Sequence, residues 1–167
     1  IFVALDFSDL DKALHVSNLV KDYAAGLKIT NELFAVCGRE GIKKLSELGL
    51  EIFLDLKLHD VPNTVKKTVS SISSLGIVNY LTIHTSGGIE MIKAAKEAAK
   101  ELELLGVTIL TSQNASKDQV NDLANLGIQS GLSGIIASAQ EYISVRSLDK
   151  NLKIFCPGIR GLQDKKD

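Results

Sequence analysis

Asp55, Lys57 and Asp60 stand in a D-x-K-x-x-D spacing within Leu54-Asp55-Leu56-Lys57-Leu58-His59-Asp60-Val61-Pro62-Asn63-Thr64. The run leading into it, residues 50–56, is apolar apart from Glu51 and Asp55. An unpaired carboxylate buried in such a run costs several kcal/mol or gives up its charge. If the run is a strand, Asp55 and Lys57 are two residues apart and face the same side. They can then pair, each keeping the other charged in a partly dry site. A pair of this kind is also an ordinary feature of strand ends, worth little when exposed. Asp60 follows the strand, so it reaches the same place from a loop or serves a neighbouring subunit.

Lys28 lies between Leu27 and Ile29, as Lys57 lies between Leu56 and Leu58. Two lysines and two or three aspartates at neighbouring strand ends make an alternating network, with the lysines protonated and the aspartates ionised. A lysine held cationic there can stabilise, and then protonate, a carbanion at neutral pH. His59 and His84 lack a His or Glu four residues on that would complete a metal pair, and are assigned no chemical role. Gly87-Gly88 reads as a backbone entry into a helix, with phosphate binding the weaker option. Arg160 follows Pro157-Gly158, a mount suited to a guanidinium that grips an anion.

Apolar runs predict strands at residues 1–5, 25–29, 50–56, 79–83, 107–110, 134–137 and 152–155. Helical spacing predicts helices at 10–20, 33–45, 61–75, 89–102, 116–126 and 140–148, the second weakened by Gly38 and Gly41. Strict alternation argues for a parallel sheet with helical crossovers. Either a doubly wound sheet or a (β/α)8 barrel satisfies it. Against the first, no G-x-G-x-x-G follows the first strand. For the second, Asp6, Lys28, Asp55/Lys57, His84, Thr111/Ser112 and Arg160 each fall at the end of a different strand. A barrel brings those ends to one mouth, where barrel enzymes keep their active sites. The expected architecture is an α/β, (β/α)8 TIM barrel forming a single domain over 1–167, truncated at both ends and without its eighth βα unit.

Composition narrows the function. With 167 residues, 45% hydrophobic and 23% charged, the chain reads as one soluble domain. Its formal net charge of −1 carries no basic footprint for nucleic acid, so any phosphate must be bound at a local site. No apolar run reaches membrane-spanning length. Cys37 and Cys156 are far apart and outside any metal-ligand spacing, which fits reduced thiols in a cytoplasmic protein.

Phe2-Val3-Ala4-Leu5-Asp6, Gly26-Leu27-Lys28, the Asp55 to Thr64 motif, Leu110-Thr111-Ser112 and Pro157-Gly158-Ile159-Arg160 together resemble the orotidine 5'-phosphate decarboxylase family. The resemblance covers nearly the whole chain. D-x-K-x-x-D alone belongs to a wider superfamily, and its extension through Pro62 and Thr64, with Lys28, is the more specific part. The resemblance implies a catalytic network of Lys28, Asp55, Lys57 and Asp60, with Lys57 donating a proton to C6 of the pyrimidine and Asp55 beside the departing carboxylate. It implies that Asp6 and Lys28 bind the ribose hydroxyls, Ser112 the pyrimidine edge and Arg160 the 5'-phosphate. It further implies a homodimer in which Asp60 and Thr64 are given to the partner's site, UMP as product, and no metal or organic cofactor.

The stretches at 103–106 and 126–130 are shorter than the family's connections, and the family's phosphate loop and eighth strand are not found after Arg160. A related Mg2+-dependent type, which acts on 3-keto-L-gulonate 6-phosphate, shares D-x-K-x-x-D but has an acidic residue in place of Lys28. A protonated lysine offers a metal no lone pair and repels it. A non-catalytic nucleotide-binding barrel is the reading from another class.

Overall fold

The computed structural model describes residues 1–110 and 113–159. Strands and helices alternate throughout: β1 (Phe2–Leu5), α1 (Leu10–Val20), β2 (Gly26–Thr30), α2 (Asn31–Ser46), β3 (Glu51–Leu58), α3 (Pro62–Ser73), β4 (Tyr80–His84), α4 (Gly88–Ala99), β5 (Glu103–Val107), α5 (Lys117–Gln129), β6 (Gly134–Ile136), α6 (Tyr142–Leu148) and β7 (Lys153–Phe155). The strands form one sheet in the order β1-β2-β3-β4-β5-β6-β7, and every neighbouring pair is parallel.

The sheet is rolled. Strands are about 4.8 Å apart, so a flat sheet would hold β1 and β7 roughly 29 Å from each other. Instead the rings of Phe2 on β1 and Phe155 on β7 are 5.6 Å apart, and both meet Phe53 of β3 and Tyr80 of β4 at centroid distances of 5.2–5.8 Å. These four rings fill the interior of a TIM-type barrel, as stacked side-chain layers do in that fold. Alternate residues point the other way. Leu27 and Ile29, Ile52 and Leu54, and Leu81 and Ile83 are fully buried against the helices, in one core with Leu33, Ile42, Val69, Met91 and Ile92.

Local sequence sets the helix starts. The Asp9 carboxylate accepts the Lys12 N–H at 2.9 Å and caps α1. Pro62 occupies the first turn of α3, where its missing N–H is no loss. Ser116 and Gln119 cap α5 reciprocally. Gly38 has φ +52 and kinks α2 at one of the glycines expected to weaken it.

Two expectations need correction. The fifth strand, predicted at 107–110 after a helix reaching 102, is instead Glu103–Val107. α4 stops at Ala99, with Lys100 at φ +51. Leu104 packs into the helix-facing core and Leu105 among Phe53 and Tyr80, the two-sided burial of a strand between helices and lumen. Gly106 resembles a break in sequence, yet it lies inside the strand. A Cβ there would come within 2.7 Å of Thr85, 2.8 Å of Leu132 and 2.9 Å of Ile135, so the glycine permits a close approach. Residues 103–106 are therefore strand, and 126–129 complete α5.

Candidate active site

Which residues face the barrel mouth follows from the alternation. On β2, Leu27 and Ile29 face the helices, so Gly26 and Lys28 face inward; on β3, Ile52 and Leu54 do so, leaving Phe53 and Asp55 inside. On β4 the inward residues are Tyr80, Thr82 and His84. The aromatic layer thus carries a polar layer directly above it.

Asp55 is the hub of that layer. Its Oδ2 accepts from Lys57 Nζ at 2.8 Å and lies 3.7 Å from Lys28 Nζ. Its Oδ1 accepts the Thr82 hydroxyl at 3.0 Å. The Asp55 side chain is 13% exposed, against 22% for Lys28 and 35% for Lys57. One mostly buried carboxylate therefore holds two ammonium groups that remain partly exposed to solvent.

Asp55 and Lys57 meet as the spacing predicts, but not by simple alternation. Phe53 pairs with Tyr80 and Leu54 with Leu81, after which the next pair is Leu58 with Ile83. Three residues, Asp55, Leu56 and Lys57, thus stand opposite Thr82 alone, which is a bulge. Lys57 has φ +50, a conformation that costs a non-glycine residue about 1–3 kcal/mol. Its backbone N–H, displaced from the ladder, donates to Thr82 Oγ1 at 2.8 Å.

The other predicted residues are placed less closely. Asp6 is exposed just past β1. Asp60 is exposed, its Oδ1 accepts the Val61 N–H at 2.6 Å, and among the described residues it joins no ion pair. Thr64 is exposed in the first turn of α3. Ser112 and Arg160 lie outside the described residues.

His84 and His59 stack with ring centroids 5.3 Å apart. Burial, with His59 and Lys57 nearby, lowers the pKa of His84 below its ordinary 6.5, opposed by Asp55. Burial raises both Cys37 and Cys156, which makes neither an activated thiolate. Among the described residues, no three His, Cys, Asp or Glu side chains are grouped so as to hold a metal, and no helix is long and apolar enough to cross a membrane.

Thr82 is the residue that sequence reasoning missed. The available signal was a hydroxyl between Leu81 and Ile83, since a polar group buried in an apolar strand needs a partner.

The family model described as "Orotidine 5'-phosphate decarboxylase / HUMPS family" matches residues 1–167. The orotidine 5'-phosphate decarboxylase of Idiomarina loihiensis is 39% identical, over 96% of this chain and 76% of that protein. The solved structure of the Lactobacillus acidophilus orotidine 5'-phosphate decarboxylase superposes with a TM-score of 0.83 at 32% identity, over 96% of this chain and 81% of that one. That of the Pyrococcus horikoshii enzyme gives 0.86 at 26% identity, over 96% and 80%.

Proposed function

This chain belongs to the orotidine 5'-phosphate decarboxylase / HUMPS family, and on that premise we propose that it converts orotidine 5'-phosphate to UMP and CO2 in pyrimidine biosynthesis, without metal or organic cofactor. The observation that carries this reading is the sharing of one Asp55 oxygen by Lys57 at 2.8 Å and Lys28 at 3.7 Å. The C6–carboxylate bond breaks, CO2 leaves, and the electron pair stays on C6. Lys57, held cationic by Asp55, stabilises that developing charge and delivers its proton to C6. Asp55 stands beside the departing carboxylate. Lys57 regains its proton from solvent, to which its side chain is partly open.

The same reading gives roles to the periphery. Lys28 and Asp6 bind the ribose hydroxyls, Ser112 the pyrimidine edge and Arg160 the 5'-phosphate. Remote phosphate binding is then available to order the site around the ring. Asp60 and Thr64 serve the partner's site in a homodimer, and their exposure, with Val61 62% exposed between them, supports that role. Asp60 completes the charge network from across the interface.

Metal independence is supported by the donor set. Two ammonium groups flank the Asp55 carboxylate, and a divalent cation there would meet both positive charges. The test is CO2 release from orotidine 5'-phosphate by the full-length protein in excess EDTA. Full turnover is expected. No turnover, or turnover restored only by Mg2+, overturns the assignment.

A further inference from the structure

The bulge in β3 needs something to hold it. Between the pairs Leu54–Leu81 and Leu58–Ile83, three residues of β3 face only Thr82 of β4, so the regular ladder cannot satisfy the Lys57 N–H. Thr82 is fully buried. Its hydroxyl accepts the Lys57 N–H at 2.8 Å and donates its own proton to Asp55 Oδ1 at 3.0 Å. The two bonds run in one direction, from amide to hydroxyl to carboxylate, so each polarises the other. One side chain thereby fixes the backbone from which Lys57 projects, at φ +50, and the rotation of the carboxylate that receives its ammonium.

We propose that Thr82 is a positioning residue for the decarboxylation, clamping Lys57 and Asp55 through one buried hydroxyl; this rests on the function proposed above. Thr82 acts through those two residues and not on the substrate. Its loss should therefore lower kcat and leave KM nearly alone, because ground-state contacts persist while the proton donor is misaimed.

The variants are Thr82→Val, which removes the hydroxyl at similar shape, and Thr82→Ser, which keeps it. Steady-state kinetics on the full-length protein should show kcat reduced about 10- to 100-fold in Thr82→Val, the range expected for a lost hydrogen bond to a charged group. KM should stay within about twofold, and Thr82→Ser should recover most of the rate. A folded Thr82→Val with wild-type kcat, equal deficits in the Val and Ser variants, or a defect confined to KM each overturns the proposal. If Thr82→Val does not fold, hydrogen exchange at the Lys57 amide of the wild-type protein decides: slow exchange is expected, and exchange at the rate of a free amide overturns the clamp. A wild-type protein without turnover defeats the proposed function instead, and does not alter the amide result.

Discussion

Replacing Asp55 with Asn isolates the electrostatic role of the hub. Asn keeps an oxygen for the Thr82 hydroxyl but removes the negative charge between two ammonium groups. Lys57 Nζ and Lys28 Nζ lie 2.8 and 3.7 Å from the same Oδ2, so they are no more than about 6.5 Å apart. At that distance two like charges repel by about 2.5 kcal/mol at an effective dielectric of ~20 and by about 0.6 kcal/mol in bulk water. The wild type carries the same repulsion, but Asp55 offsets it. The variant loses that compensation while recovering the desolvation cost of the carboxylate, and with lysine side chains 22% and 35% exposed the net expected loss is about 1–2 kcal/mol. At about 2–4 °C per kcal/mol for a domain of this size, the melting temperature should fall by roughly 2–8 °C at low salt. Screening lengths contract from about 10 Å at 0.1 M to about 3 Å at 1 M, so concentrated salt should recover more than half of the loss. Adding Lys28→Met should likewise relieve it. The assay is thermal unfolding of wild type, Asp55→Asn and the double variant at low and high NaCl. An Asp55→Asn protein as stable as wild type, or a deficit indifferent to salt, would refute the shared-carboxylate reasoning.

His84 predicts a pH dependence of stability. Its folded pKa is lowered, first by burial and then by His59 and Lys57, so the unfolded chain takes up the proton first as pH falls. Stability is then complete above about 6.5 and declines as pH drops through the lower folded value. His84→Asn should lose less stability than wild type between pH 7.5 and 5.5 in thermal melts, and an identical decline would remove His84 from the effect. Gly26→Ala should destabilise by about 1–3 kcal/mol, because the new Cβ meets the Glu51 carbonyl oxygen at 2.6 Å as well as the Phe2 ring. An unchanged denaturation midpoint would show that the β2–β3 backbone yields there.

The barrel was legible because most of the apolar runs end in a polar residue and α1, α3 and α5 carry their own start signals in Asp9, Pro62 and Ser116. β5 was misplaced because Glu103 and Gly106 imitate a helix end and a turn. Only the side chains of Thr85, Leu132 and Ile135 show why a glycine belongs inside that strand. Asp55 and Lys57 were legible as a pair, since a short distance along the chain forces them together. Their bulge was not, because it depends on a register with β4, a contact 25 residues away that no local pattern encodes. Thr82 was hidden for the same reason. Asp60 and Thr64 are exposed in a single chain, so their proposed work belongs to an interface that one chain does not contain.

Lys57 carries the central claim, and Lys57→Ala tests it most directly. The measurement is turnover of orotidine 5'-phosphate by the full-length variant, with UMP affinity determined on the same protein. Turnover should be abolished while substantial UMP binding remains, because the variant loses the proposed proton donor but keeps Lys28, Asp6 and Arg160, the proposed nucleotide contacts. Wild-type-like rates in that variant would contradict the account and remove Lys57 from the mechanism.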